Sequence, residues 1–91
     1  MKLNVANMQS PSGHAVPNQF ILWDENGNSY FKSYNSIIAV KKSDGTVELD
    51  ENSWDYSTTT GKYRNIFLGE TKKETQKKID AGIYKLTDLN Q

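Results

Sequence analysis

The hydrophobic positions follow a strand pattern from Gln19 to about Asp50 and a helical period after it. Four runs rich in β-branched and aromatic residues come first, at residues 20–23, 29–34, 37–42 and 46–49. Asn26-Gly27 separates the first two runs, and Ser43-Asp44-Gly45 separates the last two. Such runs around a glycine turn are typical of β-hairpins, and Asn-Gly favours a type I′ turn with positive φ at both residues. The pattern predicts two consecutive hairpins, which together form a four-stranded antiparallel meander.

The helical period predicts two short helices after the meander. Tyr63, Ile66 and Phe67 have the i, i+3, i+4 spacing of a helix face, and residues 57–60 supply N-cap hydroxyls before them. Gly69 is suited to the left-handed residue that ends such a helix.

The second helix has clearer start and stop signals. Thr71 and Glu74 form a capping-box pattern, and Gly82 is a stop signal. Residues 83–87 then predict a last strand that could return to the sheet. We therefore expect an α+β fold in the order β-β-β-β-α-α-β, an antiparallel sheet of four to five strands with two short helices on one face.

The first 18 residues lack a clear period and contain both prolines. Residues 1–18 are therefore expected to form a flexible or partly ordered arm, although Asn4–Ala6 could add a short strand. Residues 19–91 are expected to form a single α+β domain, because 91 residues suffice for one domain and not for two.

Composition excludes several classes of protein. The longest apolar runs are four residues, too short to span a membrane or to serve as a secretory signal. The chain has no cysteine, so it has neither a disulfide scaffold nor thiolate chemistry. A cytoplasmic protein without a membrane partner is the simplest interpretation.

No pattern of catalytic or metal-binding residues stands out. His14 is the single histidine and lies in the expected arm, so neither a zinc ligand set nor a positioned general base is predicted. Asp50, Glu51 and Asp55 lack the spacing of a calcium loop and are expected to solvate a connection. No glycine pattern of a nucleotide site occurs. We therefore predict no catalytic residue, no metal and no cofactor.

The net charge of zero conceals a segregation of charge. Residues 1–55 carry seven acids and four lysines, whereas residues 56–91 carry seven bases and four acids. The basic half includes Lys72, Lys73, Lys77 and Lys78 on a predicted helix, and the aromatic residues Tyr63, Phe67 and Tyr84. Basic and aromatic side chains together suit single-stranded nucleic acid. A solvated outer face and an acidic protein partner are the alternatives.

Two further residue groups have two interpretations each. Tyr30 and Tyr34 alternate with Phe31, so they could form an open binding platform or lie under the helices. Arg64 follows Tyr63 and precedes Asn65, and arginine and tyrosine are frequent interface anchors. Arg64 could equally tie its helix to the acidic connection at residues 50–55 by an ion pair.

Four sequence blocks resemble a family of small uncharacterised proteins of bacteriophages and prophages. They are SGHAVPNQF at residues 12–20, SYNSIIA at 33–39, YRNIFLGET at 63–71 and YKLTDLN at 84–90. The resemblance covers about residues 12–90, although His14 stands where we expect Asn in this family. It implies a phage-type accessory protein acting inside a bacterium, but no activity and no residue roles.

The expected function is therefore non-enzymatic binding of a host macromolecule. Ser, Thr and Asn number 24 against 22 charged residues, and such a surface hydrogen-bonds adaptably without supplying a matched acid–base pair. By analogy with other small phage proteins, the target would be a host protein, for example a defence nuclease such as a CRISPR effector. Nucleic acid bound by the lysine-rich half is the alternative.

Overall fold

The computed structural model describes residues 3–90, which form one six-stranded sheet and two helices. The strands are β1 (Leu3–Gln9), β2 (Ala15–Asp24), β3 (Ser29–Ser33), β4 (Ser36–Lys41), β5 (Val47–Asp50) and β6 (Tyr84–Thr87). The helices are α1 (Thr58–Leu68) and α2 (Lys72–Asp80), both between β5 and β6. The predicted α+β class is confirmed, with one or two strands more than expected.

The sheet is mixed, whereas the sequence predicted an antiparallel one. Strands β1 to β5 are antiparallel neighbours in chain order, but β6 pairs with β5 in parallel, from Val47 opposite Tyr84 to Asp50 opposite Thr87. A parallel neighbour requires a long crossover connection, and α1 and α2 supply it. The strand pattern of residues 83–87 carries no information about direction, so only the path of the helices decides it.

The two predicted hairpins are confirmed, but the first turn is not of type I′. Gly27 has a φ of 87°, and Asn26 is not among the residues with positive φ. The Asp24 carboxylate instead accepts hydrogen bonds from the backbone N–H groups of Asn26 at 2.9 Å and Asn28 at 3.0 Å, so a four-residue loop winds around it. Hydrogen bonds from the Asn28 side chain and backbone, with those from Asn26 and Tyr30, lower the pKa of Asp24 to about 2.

Residues 3–24 form a hairpin, which corrects the arm expected at residues 1–18; residues 1 and 2 of that arm lie outside the described residues. Within the described residues, β1 pairs with β2 from Leu3 opposite Asp24 to Gln9 opposite Ala15. Met8 is the one buried side chain of β1, and the register shifts around it. Backbone pairing rather than side-chain burial therefore holds β1, which is why its polar sequence gave no clear period.

The core lies between the sheet and the helices. Phe31, Ala39 and Leu49 are neighbours across β3, β4 and β5 on the face that the helices cover. The rings of Phe31 and Phe67 stack with their centroids 5.9 Å apart. Of the three residues with helical spacing, Tyr63 and Phe67 are buried and Ile66 is not, because the polar residues Thr60 and Arg64 share the buried face. Ile66 is left 46% exposed.

Helix boundaries match the sequence signals closely. Ser57 caps α1 by accepting a hydrogen bond from the Thr60 N–H, and Gly69 ends it with a φ of 70°. Thr71 and Glu74 form the predicted capping box of α2. Neither helix has the length and apolarity needed to cross a membrane.

Candidate functional site

Arg64 is the centre of a buried polar cluster under α1. Its side chain is only 1% exposed, and its guanidinium donates to the Trp54 carbonyl oxygen and, at 3.0 Å, to Asn65 Oδ1. The guanidinium carbon also lies 5.2 Å from the centre of the Trp54 ring. Arg64 therefore anchors the connection between β5 and α1, and it is not itself an exposed interface side chain.

Asp55 joins Arg64 to the second helix. One carboxylate oxygen lies 3.4 Å from Arg64 Nη1, and the other lies 2.7 Å from Lys72 Nζ. Burial alone would raise the pKa of Asp55, but the hydrogen bonds and charges of these two cations outweigh it and lower the pKa. The structure therefore shows the ion pair that the second interpretation of Arg64 required, although the pair is with one acid only.

An open groove of about 770 Å³ lies above this cluster. We call it the α1 groove, and its lining comprises Pro11, Asp55, Tyr56, Ser57, Thr58, Gly61, Lys62, Arg64, Asn65, Ile66 and Lys72. Tyr56 and Ile66 are half exposed there. The buried guanidinium of Arg64 forms part of the lining, while its hydrogen bonds hold it in place. The groove thus combines a fixed polar floor with exposed apolar side chains.

Sequence reasoning found only part of the α1 groove. It singled out Arg64, Asn65 and Lys72, which the structure brings together, but it missed Tyr56 and used Ile66 only as a sign of helical spacing. The polar residues at positions 60 and 64 were the sequence signal that could have predicted the exposure of Ile66. On a helix they share the face of Tyr63 and Phe67, which turns residue 66 outward.

The four lysines of α2 divide into two pairs. Lys72 is bound to Asp55, and Lys78 lies 2.8 Å from a Glu70 oxygen. Lys73 and Lys77 are exposed, and neither has an ion-pair partner among residues 3–90. The predicted four-lysine face is therefore reduced to two lysines one helical turn apart.

Three of the four aromatic residues of the basic half lie in the core, and the exception is Tyr56, which is 51% exposed. Tyr63, Phe67 and Tyr84 are each less than 9% exposed, so they offer no ring face on which a base could stack. Tyr84 donates a 2.7 Å hydrogen bond to Glu70, which also binds Lys78 and the Thr75 hydroxyl. The structure thus contradicts base stacking on these three rings, which the nucleic-acid hypothesis required. They are buried because they pack in the hydrophobic core.

Tyr30 and Tyr34 do not form a shared platform. Tyr30 lies on the sheet face opposite the helices and donates a 3.0 Å hydrogen bond to Asp24. Tyr34 lies in the turn after β3 with a φ of 56°, and its N–H donates to the Asn18 carbonyl at 2.7 Å. The expectation that helices cover the tyrosines is wrong, because Phe31 takes the helix-facing position.

The remaining candidates have structural roles. His14 lies in the β1–β2 turn, where its N–H and carbonyl bond to Ser10. Asp50 is buried and accepts hydrogen bonds from the Ser53 hydroxyl and the Leu89 N–H, which ties the chain after β6 to the end of β5. No group of three or more acidic or histidine side chains suited to a metal ion occurs in residues 3–90.

Comparison with known proteins places the chain in a family. No curated protein and no solved structure matches it. A sequence model of the family of unknown function DUF8033 matches residues 3–82. This range includes both helices and every strand except β6. Because this match covers most of the sequence, the chain belongs to the DUF8033 family.

Proposed function

We propose that this chain is a non-enzymatic accessory protein of the phage or prophage type, which binds a host protein in the bacterial cytoplasm. Stoichiometric inhibition of a host defence protein, such as a CRISPR effector, is the form of action that fits a small binder. The observation that carries the proposal is the α1 groove, in which Tyr56 and Ile66 are exposed beside the buried guanidinium of Arg64.

The groove has the composition of a protein-binding site. Tyrosine is one of the residues that contribute most binding energy at protein interfaces, and an exposed isoleucine beside it adds apolar surface that a partner can bury. The lining beneath Tyr56 and Ile66 is held by the hydrogen bonds of Arg64 to Trp54 and Asn65. A partner would therefore meet a surface that needs little ordering on binding, which lowers the entropic cost of association.

The charge of the groove defines the chemistry of the partner. Lys62 and Lys72 line it beside the N-terminus of α1, which has no acidic residue in its first turn. Asp55 is the single acid in the lining, and it is already shared by Lys72 and Arg64. We therefore expect a partner segment with a carboxylate beside an apolar side chain, the carboxylate facing Lys62 and the helix N-terminus.

Capture from bacterial lysate with a matched pair of variants tests the proposal. Ile66→Glu places a charge in the groove, and Ile83→Glu places the same charge on an isoleucine that is also exposed but lies outside the groove. Tagged wild-type protein and both variants are incubated with bacterial lysate, with and without nuclease treatment. The captured proteins are identified by mass spectrometry, and captured nucleic acid is measured in parallel. The captured protein is then purified, and its affinity for each variant is measured by calorimetry.

We expect one protein to be captured at one-to-one stoichiometry by the wild type and by Ile83→Glu. Ile66→Glu should bind it at least ~10-fold more weakly, which corresponds to about 1.4 kcal/mol. Equal binding by both variants would show that the groove is not the site. Recovery of nucleic acid alone, lost on nuclease treatment, would replace the proposal by its alternative.

That alternative, nucleic-acid binding, rests on the two exposed lysines of α2. Lys73 and Lys77 lie one turn apart on the helix surface, where they could neutralise neighbouring phosphates. Two phosphate contacts would give a logarithmic salt slope of about −1.4 for single strands. Lys73→Glu with Lys77→Glu should abolish that slope. Binding of DNA and RNA that is unchanged in this double variant would exclude the basic face.

A further inference from the structure

The two edges of the sheet differ in how they are protected. Strand β6 has four residues and carries the exposed Lys85, and short length and lysine are common protections against edge-to-edge pairing. Strand β1 has seven residues and contains neither a charge nor a proline. Its bulge lies at Met8, so Leu3–Asn7 keep a regular register with β2. The edge of β1 is therefore open to pairing with another strand.

Apolar side chains are exposed on both faces of the sheet beside this edge. Val5 is 63% exposed and lies next to Leu22 on the face opposite the helices. Trp23 is 41% exposed on the other face, opposite Asn4, and the helices pack mainly against β3 and β6. Leu3 is also exposed, so the large apolar side chains of this end lie within three consecutive residue pairs of the hairpin.

We propose that β1 pairs antiparallel with β1 of a second copy, giving a two-fold symmetric dimer with a continuous twelve-stranded sheet. The figure of twelve follows from the six strands of each copy. A two-fold axis perpendicular to the sheet keeps both helix layers on one side. It also brings Leu3 and Val5 of the two copies together on the open side.

Charge and symmetry favour a second copy over a foreign strand. Like charges opposite each other destabilise strand pairs, and no register of β1 against itself creates such a pair within Leu3–Gln9. A foreign strand would itself become the new edge of the sheet. In the dimer the two open β1 edges pair with each other, and the two outer edges of the sheet are the protected β6 strands.

Molar mass as a function of concentration tests the dimer in the full chain. Light scattering after size exclusion should give twice 10.3 kDa for the wild type at high concentration. Val5→Lys introduces a charge into the edge strand, and Ile83→Lys is a matched control because Ile83 is 64% exposed and Val5 63%. The dimer dissociation constant should rise at least ~10-fold in Val5→Lys and stay within twofold of wild type in Ile83→Lys.

Hydrogen exchange of the unmodified chain gives a second readout that needs no variant. Amides of Leu3–Asn7 that point away from β2 should become protected as concentration rises, while exchange in the α1 groove should stay unchanged. A chain that remains monomeric to about 1 mM would overturn the proposal. So would a dimer that Val5→Lys leaves intact, or protection of β1 that appears only with a foreign protein. None of these results bears on the α1 groove, so the proposed function is tested separately.

Discussion

Replacing Arg64 by methionine tests whether the buried guanidinium stabilises the fold. Methionine keeps much of the volume of the side chain but removes the donors to the Trp54 carbonyl, Asn65 Oδ1 and Asp55. Because the side chain is 1% exposed, water cannot readily replace these bonds without local opening. The free energy of unfolding should therefore fall.

The contacts differ in what they contribute. Losing the two hydrogen bonds from a charged donor to Trp54 and Asn65 should cost about 2–3 kcal/mol, and losing the contact with the Trp54 ring about 1 kcal/mol. The pair with Asp55 should contribute less than about 1 kcal/mol, because Asp55 is one-third exposed, 3.4 Å away and still bound to Lys72. Arg64 Nε is buried without a hydrogen-bond partner within residues 3–90, so removing it should restore about 1 kcal/mol of the free energy of unfolding.

We therefore expect Arg64→Met to lower the free energy of unfolding by about 2–3 kcal/mol, a fall of roughly 10–20 °C in Tm for a domain of this size. Urea denaturation followed by far-ultraviolet circular dichroism measures it. Lys73→Met is the matched control, since Lys73 is exposed, and it should change stability by no more than ~0.5 kcal/mol.

A double-mutant cycle with Asp55→Asn separates the ion pair from the other bonds. The coupling energy between Arg64 and Asp55 should stay below about 1 kcal/mol. The reasoning is refuted if Arg64→Met is as stable as Lys73→Met. It is also refuted if the coupling with Asp55 accounts for the whole loss, because the carbonyl and amide bonds would then contribute nothing.

Three further predictions concern acidic stability and glycine positions. Because the pKa of Asp24 is lowered from 3.8 to about 2, the stabilising effect of its carboxylate is complete above pH 4 and is lost as pH falls toward 2. In Asp24→Asn, the free energy of unfolding measured by urea denaturation should therefore change less with pH across that range. Burial would raise the pKa of Glu70, but its hydrogen bonds lower it, so Glu70→Gln should cost about 2 kcal/mol at pH 7 and progressively less below pH 4.5 in the same assay. Gly61→Ala should raise the free energy of unfolding by about 0.5–1 kcal/mol, because the added methyl meets only ordinary contacts in a helix. Gly27→Ala should lower Tm, because Gly27 has a φ of +87° and the added Cβ would lie 3.1 Å from Ser43 Cβ. Equal effects of the two substitutions in a thermal melt would contradict this contrast.

Local patterns were enough to predict most elements of the fold. The Gly27 and Gly45 turns, the Ser57 cap and the Thr71–Glu74 capping box each depend on a few neighbouring residues. Their physics is local, because a turn needs a residue that tolerates positive φ and a helix start needs a side-chain acceptor. The sequence by itself therefore determined the element order from residue 19 onward, the α+β class and the helix boundaries.

Tertiary structure alone decided the first strand and the direction of the last. Strand β1 buries only Met8, so its stability comes from hydrogen bonds to β2 that leave little mark on the hydrophobic pattern. Strand β6 is parallel to β5 because the two helices return the chain to the same end of the sheet. Pairing partners and crossover paths are long-range properties, and side-chain alternation within one strand does not encode them.

The candidate site also depended on the tertiary fold. The sequence pointed to Arg64 with both of its interpretations open, and the burial of its side chain decided for the structural one. Ile66 lies at the surface because Thr60 and Arg64 take the buried positions of α1. Thr60 hydrogen-bonds there to Ser33, and Arg64 to the Trp54 carbonyl. A polar side chain can take a core position once its hydrogen bonds are satisfied there, and those partners are distant in sequence. The sequence alone thus determined which side chains were available, and the packing of α1 on the sheet decided which of them lie at the surface.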